Sequence, residues 1–244
     1  MSLFVYNLKS TNPYFNLALE EYTLVEKEKN EEDIYLFFYE NSEAIILGKN
    51  LRREEETYGR KKLPPVIRRS SGGGSVVHFP GNLNYGLIIN TNACPRLAPI
   101  NKSYGVILNL VAKNLPGNLN VQPGGISDLC VNDRRGSRKI SGNSQVRKKN
   151  WLLHHGSILY DAGNIPKISM YLRHPPKEPD YRKGRSHKDF LITYLPRSAR
   201  SAIVGKLVKA FAFEFGQTPQ MINVLPPLEK QARKYLNLAF LKRA

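Results

Sequence analysis

Residues 68–78 read Arg-Arg-Ser-Ser-Gly-Gly-Gly-Ser-Val-Val-His, a run of glycines between an arginine pair and an alternating Ser/Val/His segment. Glycine tolerates positive φ and leaves its N–H groups uncovered, so a backbone concavity for an anion forms where any Cβ would obstruct it. Arg68 and Arg69 add forked donors suited to a phosphate or carboxylate. The segment therefore predicts a ligand-binding loop that runs into a strand, with a plain glycine-rich turn as the alternative.

The chain length and composition indicate a globular protein of one large domain or two small ones. It has 244 residues, 41% of them hydrophobic, and no apolar run of the roughly 18 residues that a membrane span needs. Its first residues are typical of a strand and lack the pattern of a signal peptide, so we expect a cytoplasmic location. Cys94 and Cys130 are expected to be free thiols, and no familiar spacing with the five histidines predicts a metal site.

The charge of the chain is strongly positive, at a formal +17. Much of it falls in two clusters, which are Arg134, Arg135, Arg138, Lys139, Arg147, Lys148 and Lys149, and Arg173, Lys177, Arg182, Lys183, Arg185 and Lys188. Such a field attracts an acidic protein surface or a polyanion, and nucleic acid is one alternative. No helix-turn-helix, zinc-finger or RNP-like pattern supports nucleic acid, and a solvated surface is the third interpretation.

Hydrophobic periodicity predicts three longer helices. Asn12-Pro13 is a capping residue followed by a first-turn proline, which predicts a helix over about residues 13–28. Apolar residues at helical spacing predict a second helix around 104–111, stopped by residues 115–117, and a third over 203–215 that ends at Gly216.

Strand patterns occur at residues 34–39, 44–47, 83–90, 127–132, 139–145 and 152–160, whereas residues 166–196 are expected to form loop with short helical turns. Strands with helices before, between and after them indicate an α+β fold with a mixed, largely antiparallel sheet flanked by helices. The motifs of Rossmann and P-loop proteins are absent from the sequence.

A lysine lies in the segment Arg-Lys-Ile-Ser-Gly-Asn at residues 138–143. Strand alternation predicts that Lys139 and Ser141 share one face and Ile140 lies on the other. A cation so placed would stabilise charge on a phosphate and a reacting carbonyl, while an exposed edge-strand lysine is the simpler alternative. The polar run His154-His155-Gly156-Ser157 begins the next strand, where a core or edge histidine is the plain interpretation.

These segments, in this order, resemble the lipoate–protein ligases of the biotin/lipoate A/B ligase group. The family's glycine loop is matched by Arg68–His78, its Gly-Asn pair by Gly81-Asn82 and its lysine motif by residues 138–143. Its His-His-Gly-[Ser/Thr] strand is matched by residues 154–157, and its N-terminal Asn-Leu-Ala-x-Glu-Glu helix by residues 16–21. Three positions depart from the usual pattern, which are Ser75 in place of an alanine in the loop, Phe79 after the loop and Ser127 before the hairpin.

The resemblance implies the fold shared with the catalytic domains of biotin ligases and class II aminoacyl-tRNA synthetases, here as a single domain over 1–244 without a C-terminal accessory domain. It also implies a two-step reaction in which ATP, with Mg²⁺, and lipoate give lipoyl-AMP, and a lysine of a lipoyl domain then takes the acyl group. The carrier would be the E2 subunit of a 2-oxoacid dehydrogenase or the glycine-cleavage H protein. A separate accessory chain is a further implied partner, and neither a membrane nor a nucleic acid is.

By motif position, the resemblance implies the catalytic role for Lys139, which would hold the mixed anhydride. The residues implied to bind substrate or nucleotide are Arg69, Ser71, Gly72, Gly73, Gly74, His78, Asn82, Asp128, Ser141, Gly142, His154 and Gly156. His154 and Gly156 are expected to close the pocket wall.

Two other activities stay open at this point. The first is an octanoyl or lipoyl transferase that works through a cysteine thioester and needs no ATP. It requires a nucleophilic thiol in the pocket, and neither cysteine of the chain matches the position expected for one. The second is a non-catalytic nucleic-acid-binding module, against which the intact glycine loop and Lys139 argue.

Overall fold

The structure is a computed structural model that describes residues 2–26, 30–59, 62–117, 120–222 and 226–235. Its strands are β1 (Leu3–Asn7), β2 (Ile34–Tyr39), β3 (Ala44–Leu47), β4 (Val66–Arg68), β5 (Val76–His78), β6 (Asn82–Asn90), β7 (Val121–Gly124), β8 (Asp128–Asp133), β9 (Gly136–Lys148), β10 (Trp151–Leu159) and β11 (Pro219–Met221). Its helices are α1 (Pro13–Val25), α2 (Arg53–Glu56), α3 (Ile100–Asn114), α4 (Ile165–Tyr171), α5 (His187–Phe190), α6 (Arg200–Glu214) and α7 (Pro226–Tyr235).

Within the described residues, the strands form two sheets. The larger sheet has eight strands in the order β11-β1-β2-β6-β10-β9-β8-β7, and the smaller has three in the order β4-β3-β5. In the larger sheet β1 runs parallel to both of its neighbours, and the other pairings are antiparallel. The predicted α+β class with a mixed, largely antiparallel sheet is confirmed.

Helix α1 begins as its sequence predicts. The side chain of Asn12 accepts hydrogen bonds from the backbone N–H groups of Tyr14 and Phe15, and Pro13 occupies the first turn. These contacts satisfy two of the donors that a helix start leaves unpaired. The helix ends at Val25, before the predicted end at residue 28, and residues 27–29 lie outside the described residues.

Helices cover both faces of the large sheet. Buried residues of α3 and α6, such as Ile107, Leu207 and Phe211, pack on one face together with Tyr85 and Leu87 of β6. On the opposite face α1 contributes Phe15 and Leu19 to a second apolar cluster. The side of α1 that carries Leu17 and Ala18 packs on the small sheet. Helix α1 therefore holds the two sheets together.

The other sequence expectations are largely confirmed. α6 ends at Glu214, next to the predicted stop at Gly216, and residues 166–196 contain short helices and turns. The elements that the sequence did not predict are β4, β7, β11, α2 and α7. The three strands have three or four residues each, so their pairing partners rather than local pattern define them. No described helix has the length and apolarity needed to cross a membrane. A single domain over 1–244 stays a prediction.

Candidate active site

A cavity of about 640 Å³, part of it open to solvent, is bordered by both sheets and by α1. Its lining residues are Leu17, Tyr39, Ile46, Arg69, Gly73, Gly74, Ser75, Val76, His78, Asn84, Ser127, Asp128, Lys139, Gly142, Asn143, Ser144, His155, Gly156 and Ser157. The glycine loop and the lysine motif, which lie some 60 residues apart in the sequence, thus meet at one cavity.

The cavity floor is a row of directly paired residues that crosses five strands. Asp128 of β8 pairs with Gly142 of β9, Gly142 with Ser157 of β10, Ser157 with Asn84 of β6, and Asn84 with Tyr39 of β2. Residues that pair directly across strands lie on the same face of a sheet. The row therefore forms a groove that runs across the strands rather than along them.

A β-bulge lies beside this row. Leu129 pairs with Ser141 but the next β8 residue, Cys130, pairs with Lys139, so Ile140 is the extra residue on β9. A bulge breaks the two-residue alternation of side chains. The faces of β9 on either side of Ile140 are consequently out of phase.

The bulge overturns one sequence expectation. Lys139 lines the cavity together with Gly142, whereas Ser141 is buried outside the lining residues. The Nζ atom of Lys139 lies 2.7 Å from where a Cβ on Gly142 would be. The prediction from regular alternation that Lys139 and Ser141 share a face was therefore wrong, and glycine at 142 makes room for the ammonium group.

The ammonium group of Lys139 is held by a carboxylate. Its Nζ lies 2.8 Å from Oδ1 of Asp128, and the other carboxylate oxygen accepts a hydrogen bond from the hydroxyl of Tyr181. Burial and the nearby Asp128 charge raise the pKa of Tyr181 far above its usual value, so the phenol stays protonated and keeps donating. The pair fixes the lysine at the end of the groove nearest β8.

The glycine loop is held from inside by Arg69, which is 7% exposed. Its guanidinium donates to Oγ of Ser71 at 2.9 Å, to the carbonyl of Gly74 at 2.9 Å and to the carbonyl of Gly72. Arg68 likewise donates to the backbone carbonyls of Gly48, Lys49 and Leu51. Both guanidinium groups thus form hydrogen bonds to the protein's own loops, although the sequence suggested that they bind a ligand.

The tip of the loop depends on two glycines. Gly73 has a φ of +84°, which favours glycine, and its carbonyl oxygen lies 2.0 Å from where a Cβ on Gly48 would be. Any side chain at residue 48 would therefore displace the backbone of the loop at Gly73.

His155 lies in a chain of a hydroxyl, an imidazole and a carboxylate. Its Nδ1 is 3.0 Å from Oε2 of Glu20, and its Nε2 is 2.6 Å from Oγ of Ser71. Because Ser71 already accepts from Arg69, its hydroxyl proton is available for the imidazole. His155 lines the cavity and Ser71 does not. The contacts with Ser71 and Glu20 therefore hold the imidazole ring in place at the cavity wall.

His78 belongs to a second polar chain. Its Nδ1 is 2.9 Å from Nδ2 of Asn41, and its Nε2 is 3.2 Å from Oγ of Ser157. Burial, with smaller contributions from Arg69 and His155, lowers the pKa of His78 to about 3, so the ring is neutral at physiological pH.

The cavity is lined by eight of the thirteen residues that the resemblance implied. Of the other five, Gly72 and Ser71 brace the loop as described, Ser141 is buried, and Asn82 donates to the carbonyl of Val77 at 2.9 Å. His154, expected in the pocket wall, lies on the opposite face, against Tyr85 and Tyr104.

Sequence reasoning missed the histidine and the polar residues on the cavity side of β10 and β6, namely His155, Ser157 and Asn84. Strand alternation in the run 154–157 would have separated His155 and Ser157 from His154. The remaining lining residues that it missed are Leu17, Tyr39, Ile46, Ser75, Val76, Ser127, Asn143 and Ser144.

Neither cysteine lies at the cavity. Cys94 and Cys130 are buried free thiols outside the lining residues. Burial also raises the pKa of Cys130, which disfavours the thiolate that a nucleophile needs.

The sequence matches the family described as the lipoyl protein ligase A/B catalytic domain over residues 12–215. The chain belongs to this family. It is 32% identical over 176 residues to a probable lipoate-protein ligase A of Mycoplasma genitalium, covering 70% of this chain and 50% of the relative. It is 32% identical over 180 residues to lipoate-protein ligase A of Blochmanniella floridana, covering 72% and 49%. The family member described here thus spans about half the length of these relatives.

Solved structures share the fold. The bi-partite lipoate protein ligase of Thermoplasma acidophilum, described with its E2 lipoyl domain, superposes with a TM-score of 0.76 at 20% identity, over 97% of this chain and 91% of the other. A lipoate-protein ligase A bound with ATP superposes with a TM-score of 0.72 at 21% identity, over 97% and 95%.

The buried histidines predict a pH dependence of stability. The pKa values of His78 and His154 are both lowered to about 3, mainly by burial. In the unfolded chain a histidine has a pKa of about 6.5, so below that pH the unfolded chain binds protons that the folded chain does not. The free energy of unfolding therefore falls as pH falls from about 6.5 toward 3. When the pH is lowered from 7 to 5, the free energy of unfolding of His154→Gln should fall by about 2 kcal/mol less than that of the parent, as measured by urea unfolding.

The range from pH 9 to 8 is the control, because the His154 ring is neutral there in both the folded and the unfolded chain. Over that range His154→Gln and the parent should show the same change in the free energy of unfolding. An equal loss in His154→Gln and the parent between pH 7 and 5 would contradict the prediction.

Proposed function

We propose that this chain activates lipoate with ATP and transfers the acyl group to a lysine of a lipoyl domain. The observation that carries the proposal is the position of Lys139, which a bulge turns into the cavity that the glycine loop also borders. Membership of the lipoyl protein ligase A/B catalytic family supports it.

In the first step a carboxylate oxygen of lipoate attacks the α-phosphorus of ATP, the bond to the bridging oxygen breaks, and pyrophosphate leaves. Negative charge grows on the phosphoryl oxygens, and the ammonium group of Lys139 stabilises it. Asp128 keeps that group in place at the β8 end of the groove.

The second step is an aminolysis. The carrier's lysine, as the neutral amine, attacks the carbonyl carbon and its N–C bond forms. AMP leaves with the pair of electrons of the broken C–O bond, and the amine nitrogen releases one proton to solvent as the amide forms. Lys139 serves again, since charge now grows on the carbonyl oxygen and then on the departing phosphate.

The residues around the cavity fit phosphates better than a resident metal ion. Among the residues that the structure describes, no group of three His, Cys, Asp or Glu side chains is arranged to hold a metal. Both oxygens of Asp128 already have partners, Lys139 and Tyr181. Mg²⁺ therefore enters the proposal as the counter-ion of the triphosphate, which matches its usual role.

The carrier is proposed to be the lipoyl domain of a 2-oxoacid dehydrogenase E2 subunit or the glycine-cleavage H protein. Support comes from the Thermoplasma acidophilum structure, which is described with an E2 lipoyl domain. The transferase alternative is disfavoured because both thiols are buried away from the cavity.

Lys139→Ala tests the central claim. Loss of the ammonium group should cost about 3 kcal/mol or more of transition-state stabilisation, comparable to the loss of an oxyanion donor. The measurement is pyrophosphate release with lipoate and ATP. Lys148→Ala, an exposed lysine at the far end of β9, is the matched control and should keep the parent rate. A parent-like rate in Lys139→Ala would contradict the proposed role of Lys139 in stabilising the transition state.

The double variant Cys94→Ala/Cys130→Ala separates a ligase from a thioester transferase. A ligase needs no thiol, so ATP-dependent lipoylation should remain within about twofold of the parent once stability is checked. Abolished acyl transfer, together with an acyl-enzyme trapped on either thiol of the parent, would favour the transferase.

The basic residues of the β8–β9 turn are expected to steer the carrier. Arg134 and Arg135 are exposed near Lys139, whereas Arg147 is engaged with the carbonyl of Leu97. Reversing Arg134 and Arg135 to Glu should raise the KM for an acidic lipoyl domain and leave pyrophosphate release unchanged. The effect should shrink with salt, because screening acts over about 8 Å at physiological ionic strength.

The matched control is Lys148→Glu/Lys149→Glu, which makes the same charge change at the other end of β9. Lys148 lies roughly 30 Å from Lys139 at about 3.3 Å per residue. Equal KM changes in the two variants would mean that net charge, rather than the β8–β9 turn, attracts the carrier.

A further inference from the structure

One hydrogen-bond donor on the cavity floor has no partner among the residues that the structure describes. Asn84 of β6 is 2% exposed and lines the cavity. Its amide Oδ1 accepts from the hydroxyl of Ser157, while its Nδ2 finds no acceptor among the residues that the structure describes. A buried donor without an acceptor is costly, so such an atom in a cavity indicates a ligand atom that completes it.

The orientation of this amide is set by a chain of hydrogen bonds that begins at the backbone carbonyl of Ser10. Nδ2 of Asn16 donates to the carbonyl of Ser10 at 2.8 Å and to Oδ1 of Asn41 at 2.8 Å. A carbonyl only accepts, so Asn16 must present its NH₂ group here, and Asn41 must present its oxygen to Asn16. The NH₂ group of Asn41 consequently faces His78.

The same polarity continues to the cavity. His78 accepts from Asn41 at Nδ1 and, being neutral with a lowered pKa, carries its proton on Nε2. Nε2 donates to Ser157, and Ser157 donates its hydroxyl proton to Asn84. Asn84 therefore presents oxygen to the protein and N–H to the cavity.

Asn84 lies along the groove from the reacting group. It is two strands away from Gly142, against which the Nζ atom of Lys139 lies, a separation of about 10 Å at 4.8 Å per strand. An extended chain advances about 1.2 Å per bond. A substrate whose carboxyl group lies at Lys139 therefore reaches Asn84 with atoms no more than about eight bonds away.

We propose that the Asn84 amide recognises the distal end of the acyl substrate, selecting chains that carry a hydrogen-bond acceptor there over hydrocarbon chains of the same shape. This inference rests on the proposed function and adds the chemistry of the acyl tail to it. A dithiolane sulfur qualifies as a weak acceptor, and an oxygen atom would be stronger. The hydroxyl of Ser75, which lines the cavity and also has no partner among the described residues, is a second polar group for such a tail.

A pair of acids of equal shape tests the proposal. Lipoate and 5-cyclopentylpentanoate differ only in that two ring sulfurs become methylenes. The hydrocarbon ring would cover the Asn84 N–H without pairing it, so kcat/KM for pyrophosphate release by the full chain should favour lipoate about fivefold or more. In Asn84→Leu the two acids should become equivalent within about twofold, because the donor is gone.

Asn90→Leu is the matched control. Asn90 lies on the same strand, is buried, and also has an Nδ2 without a partner among the described residues, but it is not a lining residue of the cavity. It should keep the parent's preference. A preference that falls equally in both variants would assign the effect to general loosening of β6 and overturn the proposal.

Asn41→Asp tests the chain of hydrogen bonds that orients the Asn84 amide, and residue 41 is not a lining residue of the cavity. This variant also provides the test if Asn84→Leu does not fold. A carboxylate at residue 41 offers no donor, so His78 must turn an N–H toward it and Ser157 must donate to Nε2. Asn84 then presents its oxygen to the cavity. The preference for lipoate should disappear at pH 8, while activity with the hydrocarbon acid remains.

Calorimetric binding of the two acids to the parent chain keeps this inference separate from the proposed function. If neither acid supports pyrophosphate release, the proposed function fails, and a fivefold or larger difference in Kd would still support recognition by Asn84. Equal Kd values and equal kcat/KM values for the two acids in the parent would overturn the inference alone.

Discussion

The buried guanidinium of Arg69 is the interaction on which the candidate site depends. It ties together the carbonyls of Gly72 and Gly74 and the hydroxyl of Ser71, and Ser71 in turn contacts His155. A buried guanidinium is tolerated in this position only because oxygen atoms of the loop accept its hydrogen bonds. The loop and the cation therefore form one unit, and that unit sets one wall of the cavity.

The sequence predicted most of the fold because its main elements carry their own local signals. The cap at Asn12 indicated α1, the apolar spacing indicated α3 and α6, and enrichment in aromatic and β-branched residues indicated β2 and β3. The short strands β4, β7 and β11 have no such pattern. They exist because a neighbouring edge offers backbone hydrogen bonds, which no local rule encodes.

The site was predicted less completely than the fold, and for two physical reasons. Motif matching gave the loop and Lys139, but it attributed to His154 a place that strand geometry gives to His155. Regular alternation also failed at β9, where the bulge shifts the phase. The polar chain that ends at Asn84 joins α1, the β2–β3 turn and three strands, so only the folded arrangement makes it visible.

The bulge at Ile140 also sets how the β8–β9 hairpin tolerates changes in length. Hairpin tips usually accept insertions and deletions with little effect. Here the bulge absorbs one extra residue between Lys139 and Ser141: with Ile140 removed, Lys139 would still pair with Cys130 and Gly142 with Asp128, so regular alternation would keep the lysine on the cavity face. The intact sequence paired without the bulge would instead place Lys139 and Gly142 on opposite faces of the sheet. A homologous chain without the bulge is therefore expected to have one residue, rather than two, between this lysine and the glycine.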